Sequence, residues 1–128
     1  MKKEVEEFLK ENNAIEGVFD DDSLKQAKVA WEYLMSQDFL TIDVILKTHK
    51  ILMLNQNLLP SEKGYFRKEM VWIGGKPAIN ALRVPEEIEH WCDEGAELLI
   101  DPKKLHIRYE KIHPFIDGCI FSYRICNY

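Results

Sequence analysis

His113-Pro114-Phe115-Ile116-Asp117-Gly118 is the most specific stretch of the chain, and Leu105-His106-Ile107-Arg108-Tyr109-Glu110-Lys111-Ile112 leads into it. Pro102 opens a helix over that run, and Pro114 ends it by disfavouring helical geometry at the residue before it. His113 is therefore expected at a helix end, with Asp117-Gly118 as a turn signal just beyond. Taken alone, a His after a helix is more often structural than catalytic, and an Asp-Gly pair needs no metal to explain it.

Working outward, Pro85 followed by Glu86 and Glu87 opens a helix through about Ile100. Before it, Tyr65 to Ile73 and Ala78 to Arg83 are enriched in aromatic and β-branched residues, and Gly74, Gly75, Lys76 and Pro77 join them, which predicts a hairpin. Asn55 to Gly64 carries the Asn, Pro, Ser and Gly residues of a loop. Thr41 caps a helix in which Ile42, Ile45, Leu46, His49, Leu52 and Met53 follow the helical period. Asp20 to Ser23 supply the N-terminal residues of another, running to about Ser36 with Leu24, Ala27, Trp31 and Leu34 as its buried stripe. Val5, Phe8 and Leu9 mark a short amphipathic helix from Lys2 to about Glu11. The result is a mainly α fold, a set of helices interrupted by one hairpin, and an isolated hairpin must lie against the helices or a partner.

A chain of 128 residues fits one domain, and 46% apolar against 30% charged residues is a globular composition. The net charge of −5, with scattered Lys and Arg, gives no footprint for nucleic acid. Cys92, Cys119 and Cys126 are an odd number without metal-ligand spacing, which suits a reducing compartment, and no secretory or membrane-spanning run is present. A cytoplasmic protein with no membrane partner is expected. Trp31, Trp72 and Trp91 read as packing anchors, Trp72 also as a contact for a partner. Lys103, Lys104, Arg108 and Lys111 read as a solvated helix face, His49 and His90 as structural or surface residues, and His106 as a core residue.

The stretch from His106 to Gly118 resembles the Fic signature, His-Pro-Phe-x-Asp/Glu-Gly-Asn-Gly-Arg-x-x-Arg, which sits between two helices. His106 and Tyr109 stand where that family commonly has a His and an aromatic residue. The resemblance implies a Fic-type helical bundle with a hairpin flap. It also implies a nucleotidyltransferase that moves AMP from ATP, with Mg²⁺, onto a Ser, Thr or Tyr hydroxyl of a protein (AMPylation). His113 would be the base, since a neutral imidazole with pKa near about 6.5 can accept the hydroxyl proton. Asp117 would hold Mg²⁺ through oxygen while that ion bridges nucleotide phosphates. Gly118 would let the backbone approach the phosphates, and Phe115 and Arg124 would complete the nucleotide site.

Two more stretches are similar to the family. Gly64-Tyr65-Phe66-Arg67 and Val71-Trp72-Ile73-Gly74-Gly75 look like its flap, whose edge can add a target segment as an extra strand. Asn12-Asn13-Ala14-Ile15-Glu16-Gly17 resembles the inhibitory motif that precedes many Fic cores, which makes residues 1–17 an inhibitory segment and Glu16 the partner of Arg124. The likeness departs from the family after Gly118. Cys119, Ile120 and Phe121 replace Asn-Gly-Arg, removing an amide donor, a glycine and a phosphate-binding arginine, so weakened or absent turnover is expected. The tail to Tyr128 reads as a truncation that leaves out the closing helices, with self-association through the uncovered face as its consequence. The alternative to an enzyme is a non-catalytic Fic-fold remnant or protein-binding module.

Overall fold

The computed structural model describes residues 21–96 and 102–116, together with Lys3, Glu6, Glu7 and Lys10, which are helical. The remainder of the expected Lys2–Glu11 helix, the inhibitory stretch Asn12–Gly17 with Glu16, and residues 97–101 lie outside the described residues, as do Asp117, Gly118 and everything from Cys119 to Tyr128, Arg124 included.

Helix α1 spans Asp21–Met35 and α2 spans Ile42–Leu52. Thr41 caps α2 as its position suggests, its Oγ1 accepting the Val44 N–H at 3.3 Å. Helix α2 is the shared wall of the molecule because its apolar residues point two ways. Val44, Leu52 and Met53 close a core with Ala27, Ala30, Trp31 and Leu34 of α1. Ile45 instead joins Val84, Ile88, Trp91, Leu105, Tyr109, Ile112 and Phe115. These come from α3, Val84–Ala96, from α4, Pro102–Ile112, and from the residues that follow α4. Trp91 pins α3 to α4, donating from Nε1 to the Leu105 carbonyl at 2.8 Å while its ring tilts against Tyr109 at 5.0 Å.

The hairpin is real but far shorter than the sequence suggests. Strand β1 is Trp72–Ile73 and β2 is Lys76–Pro77, antiparallel, with Trp72 opposite Pro77 and Ile73 opposite Lys76. Gly74 and Gly75, with φ of 56° and 81°, form the two-residue turn, the positive pair that a tight hairpin of matching twist requires. Lys76 and Pro77 are thus strand residues and not part of the connection.

Beyond the two strands one ladder hydrogen bond remains, the Ala78 N–H donating to the Val71 carbonyl at 2.8 Å, and the flanks then part for separate reasons. Pro77 does not break the ladder, because it faces Trp72 in a pair that needs no N–H from it and the next ladder bond falls to the Ala78 N–H. After it, Asn80 turns the chain into a 3₁₀ turn, Ala81–Arg83, its Oδ1 accepting the Leu82 N–H at 3.0 Å. On the other side, residues 65–70 lie outside the strands because Arg67 draws that segment toward the end of α4, its own N–H donating to the Pro114 carbonyl at 2.9 Å.

Charged side chains bridge α3 and α4. Arg108 contacts Glu94 and lies 3.8 Å from Glu87, which also pairs with Arg83 at 3.0 Å. The expected solvated face of α4 is therefore correct for Lys103, Lys104 and Lys111, which are exposed, and incorrect for Arg108, which is half-buried in this network.

Candidate active site

Helix α4 delivers His113. Its N–H donates to the Tyr109 carbonyl at 2.9 Å, so the residue still belongs to the last helical turn by its hydrogen bond. Its φ, however, is 46°. Left-handed backbone is the usual way to end a helix, normally at glycine, and it costs another residue about 1 kcal/mol. Pro114 removes the right-handed helical alternative here, because the proline ring disfavours that conformation at the residue before it. The pair His113-Pro114 thus ends the helix, with His113 half-buried at its C-terminal end.

Phe115 holds the loop from within. It is 1% exposed and stacks on His49, ring centroids 3.7 Å apart and planes within 3°. Phe66 tilts against its edge at 5.6 Å. The ring that the resemblance would give to the nucleotide is therefore a core residue, and its part in the site is to anchor the loop. His49 sits in the middle of this packing, 3% exposed, its Nδ1 accepting the Gly64 N–H at 3.0 Å. Gly64 has to be glycine there: its φ is 79°, and a Cβ would meet Lys50 Cβ at 2.7 Å.

Arg67 is buried as well, and four hydrogen bonds from its guanidinium end on main-chain carbonyls. Nε donates to His113 at 2.6 Å, and Nη2 donates to Ile112 at 3.1 Å and Ile79 at 2.7 Å. Nη1 donates to Glu69 at 2.9 Å. The carbonyls at the end of α4 lack helical partners and carry the negative end of the helix dipole, which suits a buried cation.

Of the residues singled out from sequence, the structure brings together His113 and Phe115, and links them through Arg67 to the flap. On the flap, Val71 is half-buried, Gly74 is exposed and Trp72 is 68% exposed, so Trp72 is not the packing anchor that Trp31 and Trp91 are. Ile73 is exposed beside it. His106 is half-buried and His90 exposed. Asp117, Gly118, Arg124 and Glu16 lie outside the described residues, and among the described residues no group of three or more His, Cys, Asp or Glu could hold a metal ion. His49 was missed as part of the site, and Arg67 was placed in the flap without its tie to the end of α4. A lone arginine among Tyr65, Phe66 and the following strand-like residues was the available signal for the second.

Beside this assembly, Leu59, Tyr65, Phe66, Lys68 and Ile116 line a small open cavity at the base of the flap. No helix among the described residues is long and apolar enough to cross a membrane.

The fold is a known one. The chain superposes on a Fic family protein from Desulfovibrio desulfuricans G20 with a TM-score of 0.66 and 24% identity, covering 90% of this chain and 39% of that one. It also superposes on Fic-1 (residues 134–508) of C. elegans with a TM-score of 0.61 and 24% identity, over 81% of this chain and 34% of that one. The chain therefore spans well under half the length of these relatives. No curated protein sequence matches it. The Fic/DOC family profile matches residues 39–126, a stretch that leaves out Asn12–Gly17 and takes in Arg124 and most of the tail after Gly118. With more than half of its residues matched, and with His113-Pro114-Phe115 set at a helix end beside a flap, the chain belongs to the Fic/DOC family.

Proposed function

We propose that the chain transfers AMP from ATP to a hydroxyl of a protein, the hydroxyl oxygen bonding to the α-phosphorus as pyrophosphate leaves, with His113 as the base that takes the hydroxyl proton. One observation carries this reading: His113 stands half-buried, with left-handed backbone, where α4 ends, in a loop fastened to the flap. A half-buried imidazole at such a place can take a proton from a hydroxyl presented by a segment lying along the flap. Trp72 and Ile73, both exposed, offer apolar contact to that segment. Mg²⁺, when bound with the nucleotide, would neutralise phosphate charge. Asp117 is the carboxylate suited to hold it, Gly118 and Arg124 are suited to the phosphates, and Glu16 is suited to restrain turnover by pairing with Arg124.

Cys119, Ile120 and Phe121 favour a second reading, a Fic-fold module that binds a protein and no longer turns over nucleotide. A thiol, a branched alkyl and an aromatic ring supply none of the donors that Asn-Gly-Arg would give a triphosphate. Incubation with ATP labelled on the α-phosphate and a cell extract separates the two. Label that appears on protein, rises with Glu16→Gly and vanishes with His113→Ala supports transfer. No label from either the unaltered chain or Glu16→Gly supports the binding module.

A further inference from the structure

We propose that Arg67 is a positioning residue that fixes the backbone of His113 and ties the flap to it as one frame. The peptide groups on both sides of His113 are pinned. Its N–H is held by Tyr109, while its carbonyl takes the Arg67 Nε at 2.6 Å and the next carbonyl, of Pro114, takes the Arg67 N–H at 2.9 Å. With both peptide planes fixed, the direction in which the imidazole leaves the chain is fixed too.

The same guanidinium reaches both flanks of the flap. Glu69 precedes β1 and Ile79 follows β2, and their carbonyls accept from Nη1 and Nη2. Sequence separations of 45 and 46 residues between Arg67 and the Ile112 and His113 carbonyls make it a long-range tie, not a local turn. A displacement of the flap is therefore felt at His113 through one rigid planar group. Lysine cannot replace it, because a single ammonium nitrogen cannot serve acceptors spread over three separate segments.

That this frame serves proton transfer rests on the functional reading above; that Arg67 builds the frame does not. Two NMR measurements test the frame without any nucleotide. In the unaltered protein, a scalar coupling across the hydrogen bond from Arg67 Nε to the His113 carbonyl carbon is expected, with Nη protons that rotate slowly. Absence of the coupling together with freely rotating, fast-exchanging Nη protons would overturn the proposal. In Arg67→Lys, the left-handed backbone signature of His113 should be lost, and exchange at the Ala78 amide should speed up at least about tenfold while the Trp91 environment persists. Retention of that signature with Ala78 protection within about twofold of the unaltered chain would equally overturn it. If Arg67→Lys does not fold, the coupling in the unaltered protein decides alone. A chain that transfers no AMP can still pass or fail both measurements, so the two claims fall separately.

Discussion

At the scale of single residues, the site is built from groups placed against their ordinary preferences. His113 holds a conformation that glycine favours, Gly64 sits where any side chain would collide, and Arg67 is buried with main-chain carbonyls around it. If His113 is kept for chemistry, replacement by Asn, which tolerates left-handed backbone, should leave stability within about 1 kcal/mol while abolishing transfer. Urea unfolding alongside the labelled-ATP assay checks both halves.

Cys92 gives a prediction in pH. Burial, then the carboxylates of Asp93 and Glu89, push its thiol from 9.0 up to about 11. A folded value above the unfolded one means that the contribution is complete below the unfolded value and is lost as pH rises toward the folded one. Stability should therefore fall between about pH 9 and pH 11, and Cys92→Ala should flatten that fall. The same thiol should resist iodoacetamide at pH 8 in the folded chain, with mass mapping to separate it from Cys119 and Cys126.

At the scale of elements, the flap is a turn with short arms. Gly75 has a φ of 81° and nothing within 4 Å of where a Cβ would stand, so Gly75→Ala meets conformational cost alone. That cost, about 1 kcal/mol, should appear as faster exchange at the Ala78 amide, with the global urea midpoint almost unchanged. A large drop in the midpoint would mean that the hairpin is part of the core.

The helices were legible in the sequence because capping and periodicity agree there. Thr41 caps α2, Pro102 begins α4, Pro114 stops it, and Ala27, Trp31 and Leu34 are buried as their spacing implies. The hairpin's length was not legible. Its flanks have strand-like side chains, and what decides against strand is the turn that Asn80 starts on one side and, on the other, a tertiary bond from Arg67 to a segment far along the chain. The histidine of the site was legible from its neighbours. Gly64 and Arg67 were legible as flap residues, but the contacts that join them to His49 and to the end of α4 were not, since local pattern does not encode contacts between distant segments.

At the scale of the whole molecule, α2 belongs to both apolar clusters, Val44 serving one and Ile45 the other. The clusters should therefore open together. Native-state hydrogen exchange should give the slowest amides of α1 and of α3 the same limiting free energy, within about 1 kcal/mol. A value for α1 several kcal/mol lower would show that the first cluster opens alone.

The reading of the molecule as a nucleotide-handling frame comes down to what lies beside His113. The four histidines, His49, His90, His106 and His113, can be followed separately by their ring signals while ATP with Mg²⁺ is added into the millimolar range. A saturable shift at His113, with His90 unmoved, is the expected result even if the altered phosphate loop makes binding weak. If the His113 ring stays silent throughout, no nucleotide sits at the end of α4, and the proposed function is wrong.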